Sequence, residues 1–500
     1  MSTNEHSYHN FEAHSLNSGL DVELAHAHVR RGGKGCFCAC CLGCFGFLLL
    51  IALINFAFWY CFFRGGASLT VSPETTIITE PLKSDGKTVD FHQAIQKLIE
   101  PNIPANENGF RDVFVGYGKQ IFEADDHLGK TDWQYSKTCE HFGIDPLTPP
   151  LYSLKNPLNQ QIVLDQEGLD SVQIAAAKPH YFVPLVRENE KTFALMSQPY
   201  AAYAFHQTLS DALRQRADRR FRTKEIGGAW KDVLASLRLY RRVTVNQAWL
   251  QALGGNDDES FLAPVARVVD TLPQWTPVQL EQAITDLDSL PDWQDRQTTL
   301  MMVQFTLLDM LSAADDLAEL DYRLGLDLPK ELREILPVLQ LIGFDWNVAA
   351  KELNSEIKNY AKRVEKMEGT HPEAQVAELD LRDTEESFEF PWNEAKWEEM
   401  IEENPLLFFS APGRSKLAGL LAGELVMKAV GEMYRQQMME ESRCQILRLA
   451  LALEQFHREH QEYPDSLKEI SLRTMTQNMF LEYEKTAAGY RLSNEFFSLE

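Results

Sequence analysis

Five of the eight cysteines in this 500-residue chain, Cys36, Cys38, Cys40, Cys41 and Cys44, fall within nine positions, a density that invites metal binding or thiol chemistry. A structural zinc site takes paired ligands at C-x2-4-C spacing with a second pair some way off, and the sequence has no second pair. A helix beginning near Cys36 turns about 100° per residue and spreads the five thiols over more than half its circumference. They read first as small apolar filler, with acylation, thiol chemistry or metal as lesser readings. His457 and His460 in "FHREH" are three apart, on one helical face where they could share a metal, but no third ligand is placed and HExxH is absent. Two surface histidines near a helix end is the plainer reading. Asp315, Asp316, Glu319 and Asp321 could form a carboxylate cluster, although a solvated helix end explains them more simply. Ser415 beside Lys416 has the residue types of a serine–lysine nucleophile, but hydroxyl and amine must meet in space, which adjacency does not establish. "GYGKQI" from Gly116 lacks the third glycine of a dinucleotide loop, and "GGKG" from Gly32 has the wrong spacing for a phosphate loop. Both are read as turns or flanks. No catalytic, cofactor-binding or metal-ligating residue is assigned.

The elements that would position these residues begin with the apolar run Leu42–Phe63, 22 residues whose one strongly polar member is Asn55. A helix of that length spans a hydrocarbon layer of about 30 Å, and Trp59, Tyr60, Phe62 and Phe63 suit an interfacial belt. A secretory signal would be shorter and would begin nearer the N-terminus. Arg30, Arg31 and Lys34 precede the run and Arg64 alone lies close behind it, which predicts an N-terminus in the cytoplasm and an exported C-terminal body. The expectation is a single-pass protein of the inner (cytoplasmic) membrane, with the lipid bilayer as partner through residues 42–63.

The whole chain carries a formal net charge of −25, which argues against nucleic acid as a partner because clustered Lys and Arg are needed there. Glu365–Asn404 holds 14 acidic and 3 basic residues, with breakers at Pro372 and Pro391, and reads as a solvated linker followed by a short helix bearing Trp392 and Trp397. It lacks the alternating Asp, Asn and Gly of a calcium loop. Of the remaining cysteines, Cys139 and Cys444 would be able to pair in an oxidising compartment, or remain buried thiols.

Helical periodicity dominates from Pro199 onward. Trp230, Val233, Leu234, Leu237 and Tyr240 form one buried face, with Lys231, Asp232 and Arg238 opposite. "TPVQLEQAITDL" has Thr276 as N-cap, Pro277 at the first helical position and Gln279 completing a capping box, ahead of a core stripe of Leu280, Ala283, Ile284 and Leu287. "TTLMMVQFTLLDML" from Thr298 is apolar nearly all round and predicts a central buried helix. Leu332, Ile335, Leu336, Leu339 and Ile342 make another stripe ended by Gly343, and Asp345 caps a helix with the face Trp346, Ala350, Leu353, Ile357 and Tyr360. Near the end, Ile446, Leu449, Leu453 and Phe456 form a seam on a helix that Tyr463-Pro464 must stop, and a strand pair follows from "FLEYEK" to "GYRLSNEF". Earlier, Ala67–Pro150 is turn-rich, with short strands and a helix over Phe91–Glu100 expected.

The predicted fold class is therefore mainly α: an N-terminal transmembrane helix, then an exported bundle or solenoid of helical hairpins with minor short strands, including a C-terminal hairpin. Its divisions are a polar, disordered tail over 1–35, the membrane helix over 36–64, a mixed segment over 65–190, a helical body over 191–364, the acidic linker over 365–404 and C-terminal helices over 405–500.

"ALALEQFHREHQEYPDSLKEI" resembles the YP-stop helix element of bacterial pseudopilin-like proteins. With "TTIITEPLKSDGKTVDFHQAIQKL", "AWKDVLASLRLYRR" and "FDWNVAAKELN", the chain resembles a family of membrane-anchored proteins of unassigned activity abundant in planctomycete-type bacteria. The resemblance implies an exported helical body and supplies no catalytic residues. Two departures stand out. Gln461 occupies a position where the element has glycine, so a left-handed helix ending there costs on the order of 1 kcal/mol or is replaced by another ending. The apolar run also lies some 400 residues before the pseudopilin-like helix instead of continuous with it, so pilin-type assembly is excluded. The functional expectation is a protein-binding or scaffold role, with an envelope protein as partner. The alternative is an envelope hydrolase whose site is assembled from His457, His460 and the carboxylates near Asp315.

Overall fold

The computed structural model describes residues 69–99, 103–123, 132–152, 166–187, 199–254, 266–293, 296–312, 345–367, 411–470, 482–486, 489–494 and 497–499. They are mainly helical, as the periodicities predict. The helices are α1 (Phe91–Ile99), α2 (Gly109–Tyr117), α3 (Gln120–Glu123), α4 (Asp132–Phe142), α5 (Gln166–Ala177), α6 (Pro199–Arg222), α7 (Ile226–Gly254), α8 (Pro277–Asp288), α9 (Arg296–Ser312), α10 (Trp346–Met367) and α11 (Ala411–His460). Among the described residues between 69 and 150, helices and two isolated bridges, Leu82 with Val89 and Asn108 with His180, stand in place of the expected short strands. The short polar stretches there satisfy their main-chain groups locally. Asp85, for example, accepts from the Lys87 and Thr88 amides at 2.7 and 2.9 Å.

Local caps account for several helix starts. Thr276 and Gln279 form the reciprocal capping box of α8, with Leu280, Ala283 and Leu287 buried and Ile284 packed against the same core. Asp345 accepts the Asn347 amide at 3.1 Å, and its own amide donates to Ser415 Oγ at 2.6 Å, so α10 is capped partly from α11. Asn108 caps α2 and also clasps the extended segment 179–187 through both the Phe182 amide and carbonyl at 2.9 Å.

α6 and α7 form an antiparallel hairpin across residues 223–225, with Arg216 meeting Asp232 and Arg220 meeting the Gly228 carbonyl. α10 and the first half of α11 run parallel instead: Ser415 touches Asp345, Gly419 faces Ala349 and Gly423 faces Glu356, so both numbers rise together. Three hydrophobic cores result. One joins α6 and α7 to α8 and the C-terminal half of α11, including Trp230, Trp275, Leu280, Leu449 and Leu453. The second gathers α2 to α5 around Phe110, Phe114 and Tyr117 and against α6 and α7. The third packs α1, α9, α10 and the N-terminal half of α11. As expected, α9 is buried over most of its circumference.

α11 ends where the Tyr463-Pro464 stop predicts. Gln461 takes the left-handed conformation, φ 63°, with its amide donating to the His457 carbonyl at 2.7 Å and its side-chain nitrogen to the Arg458 carbonyl at 3.1 Å. β1 (Glu482–Lys485) pairs antiparallel with β2 (Tyr490–Asn494) in the register Tyr483–Leu492, and β3 (Phe497–Leu499) extends the expected pair to three strands. Leu492 is buried in the α11 core, and Tyr483 Oη donates to the Pro464 carbonyl at 2.6 Å.

The membrane expectation is corrected. Among the described residues no helix is long and apolar enough to cross a membrane. The long helices carry charge through their length, as α6 does with its arginines and α11 with Glu440, Arg443 and Arg448. The transmembrane helix, the inner-membrane location, the exported body and the bilayer as partner are therefore not carried further. Residues 36–64, to which the span was assigned, lie outside the described residues. So do the tail with Gly32, the Cys36–Cys44 cluster, Asp315, Asp316, Glu319, Asp321, the stripe Leu332–Gly343 and the acidic linker from 368.

Candidate functional site

A group of described titratable side chains beside the third core includes two with displaced proton affinities, His92 and Asp309. Asp90 starts α1 by accepting the Gln93 amide at 3.0 Å, and its carboxylate takes a two-pronged ion pair from Arg187 at 2.9 and 2.8 Å. Lys83, held beside α9 by the Leu82–Val89 bridge, reaches Asp309 at 3.6 Å. Burial pushes the Asp309 carboxyl up to about 6, against the pull of Lys83. His92, one residue after the start of α1, is brought down to about 4 by burial and then by Arg187, so its ring is neutral at pH 7. Its Nε2 is buried without a hydrogen-bond partner. Three segments far apart in the sequence, 83–92, Arg187 and Asp309, thus converge on one charged cluster. Its ion pairs clamp α1 and the extended segment 179–187 onto α9.

A second buried centre is Asp232, which is 0% exposed. Arg216 Nε donates to both its oxygens at 3.0 Å, Arg220 Nη1 donates at 2.8 Å, and Gln173 adds a further hydrogen bond. The expectation that Asp232 faces solvent is corrected: it lies opposite the Trp230 stripe, but α5 and α6 cover that side too. Nearby, the buried Tyr181 hydroxyl bonds His206 Nε2, and burial holds the imidazole near 4 and raises the phenol. A third centre joins α7 to α11. Burial lifts Glu440 to about 7, opposed by Arg241 and Arg443, while Arg241 pairs with Glu441 at 2.7 Å and lies 5.1 Å from the Trp293 ring. Sequence patterning missed Asp90, His92, Arg187, Asp309 and Glu440. Asp309 carried one available signal, a carboxylate on an otherwise apolar helical stretch; Glu440, with Gln436, Gln437, Glu441, Ser442 and Arg443 around it, carried none.

The residues singled out for chemistry go elsewhere. His457 stacks on Tyr463 at 4.3 Å, and His460 stacks on Phe456 at 4.0 Å with its Nδ1 against the Phe456 carbonyl at 3.0 Å. Among the described residues no three His, Cys, Asp or Glu side chains could hold a metal. Ser415 is buried, its hydroxyl donating to the Ala411 carbonyl at 2.8 Å while accepting from Asp345, and Lys416 lies 4.0 Å from Glu352. Gly116 lies inside α2, facing Tyr152, and Gly118 ends α2 at φ 56°. Cys139 and Cys444 are free buried thiols in different cores.

The surface carries one unusual segment, residues 145–152, "DPLTPPLY". Leu147 is 88% and Leu151 67% exposed, yet both ends of the segment are tied down. The Leu147 amide donates to Asp145 Oδ1 at 2.9 Å and the Thr148 amide to the Asp145 carbonyl at 2.9 Å, while Tyr135 Oη reaches the Pro146 carbonyl at 3.1 Å. Tyr152 donates its amide to the Gly116 carbonyl at 2.8 Å, accepts from Gln120 at 2.9 Å, and packs its ring 5.6 Å from that of Tyr117. No protein-family model, curated protein or solved structure matches the chain.

Proposed function

We propose that the helical body is a protein-binding scaffold. The observation that carries this reading is α11, one 50-residue helix whose two halves belong to different hydrophobic cores and so hold the helical layers together. The side chains first suspected of chemistry serve the same end: Ser415 caps a helix, Asp232 ties three helices, and His457 and His460 stack on aromatics. The resemblance of the terminal stretch to a pseudopilin-like element fits an interaction role, with that helix built into the body. A net charge of −25 favours a partner with a basic face. The hydrolase alternative draws no support from the two histidines.

The test is chemical cross-linking of the full chain in its native cells, followed by reconstitution of the purified pair. A protein recovered above an acidic control of matched charge, forming a stoichiometric complex that weakens with added salt, is the expected result. Recovery of no specific protein overturns the reading, and stoichiometric zinc in the purified chain moves the assignment to the hydrolase.

A further inference from the structure

We infer that Lys83 and Asp309 are a self-modification site, where an isopeptide bond forms between Lys83 Nζ and Asp309 Cγ and pins the segment before α1 covalently to α9. The two groups meet in a nearly closed place. Lys83 Nζ stands 3.6 Å from Asp309 Oδ1, and the two side chains are 17% and 6% exposed. That separation is close to the near-attack range of about 3 to 3.5 Å. The Leu82–Val89 bridge sets up the approach, with the Lys83 amide donating to the Thr88 carbonyl and the Asp90 amide to the Pro81 carbonyl. Side chains alternate across such a ladder, so Lys83 and Asp90 fall on the same face. Phe305 lies one helical turn before Asp309, and its ring is 5.7 Å from that of Phe91, the neighbour of Asp90. Both rings are buried and cover that side of the pair with apolar surface.

An ammonium facing a carboxylate does not form an amide, whereas an amine facing a carboxylic acid does. Burial favours the uncharged form of the pair, which differs from the ion pair only by the position of one proton. Asp309 is held at about 6 by burial, with Lys83 opposing and the Asp90 carboxylate, itself clasped by Arg187, adding to the rise. His92 is neutral at pH 7 and brings no further cation to the site. The reaction then needs no outside reagent. One proton passes from the Lys83 ammonium to the Asp309 carboxylate, the amine lone pair attacks Cγ, a second nitrogen proton moves to the departing hydroxyl, and the C–O bond breaks to release one water. Lys83, the less buried partner, leaves that water a way out. Holding amine and acid together removes the entropic cost that opposes such a condensation between free molecules. The product exchanges two desolvated charges for a neutral amide.

The test is mass spectrometry of the full chain, purified folded and then denatured. The expected wild-type chain lacks the mass of one water, and trypsin releases a branched peptide that joins the stretches around Lys83 and Asp309 and is uncut at Lys83. Lys83→Arg keeps a cation opposite Asp309 but offers no amine, and Asp309→Ala removes the acyl group. Both should show the full mass and yield two separate peptides. The Tm of Lys83→Arg should fall by several degrees, because the bond restricts the unfolded chain as a disulfide does. Separate peptides from the folded wild type overturn the inference. So does a missing water that persists in Lys83→Arg, or one that maps to a cyclic imide at an Asp-Gly pair such as Asp85-Gly86.

Discussion

Asp309 lies on the largely apolar α9 and Glu440 among polar neighbours on α11, and burial drives both carboxyls toward the neutral form, to about 6 and about 7. A carboxyl whose affinity for its proton rises on folding stabilises the fold most below its unfolded value, and that contribution is lost as pH climbs through the folded one. For Glu440 the window runs from 4.5 to about 7. His92 and His206 act in the opposite sense. Held near 4, they contribute fully above their ordinary 6.5 and lose that contribution as pH falls toward 4. Glu440→Gln removes the carboxyl's titration and keeps its shape. Urea midpoints from pH 4.5 to 8 should show wild type and variant together at the acid end and diverging as pH rises. Above pH 7 the variant should be more stable, on the order of 2 kcal/mol. A constant difference across that range would mean that Glu440 does not titrate there. At this scale the sequence was a partial guide. Asp232 reads as a surface residue because periodicity registers one buried face, and a helix covered on two sides buries the other as well.

Helix caps formed within one segment were legible, since Thr276, Pro277 and Gln279 interact across a single turn. Gln461 was legible in a second way: its departure from glycine marked the helix end, and the structure places it at φ 63° there, with a side-chain hydrogen bond offsetting part of the strain. The parallel pairing of α10 with α11 was not legible, because hairpin reasoning covers only helices joined by short connections. Gly419 marks that pairing. A Cβ there would run into the Ala349 carbonyl oxygen and come within 2.8 Å of Glu352 Cβ, so the two backbones approach as closely as they do only without a side chain. Gly419→Ala should lower stability by about 1 to 3 kcal/mol, read as a drop in Tm. Gly423→Ala should cost less, because its Cβ meets the Glu356 side chain, at 2.9 Å, instead of main chain. Gly227→Ala, with open space around it near the start of α7, should be neutral or stabilising. Equal losses at Gly419 and Gly227 would remove the close approach as the explanation.

The two halves of α11 tie the first and third cores together, and Leu453 lies fully buried in the first, the core that also holds the Trp230–Trp275 pair, whose rings are 5.6 Å apart. Leu453→Asp would bury an unpaired carboxylate there, and we expect a loss above about 4 kcal/mol, with Tm falling and tryptophan emission shifting to the red. Unchanged Tm would show the seam to be an exposed face. The sequence by itself determined the helices whose apolar spacing is long and regular, the capping box of α8, the stop at Tyr463-Pro464 and the hairpin of β1 and β2, because each depends on neighbours within a few turns of chain. The tertiary structure alone decided which polar residues are buried. Asp90 meets Arg187 across 97 positions, and Asp345 meets Ser415 across 70. Such partners are chosen by packing, where burying a charge or an amide is tolerable only if a remote group reaches it, and no local pattern records that requirement.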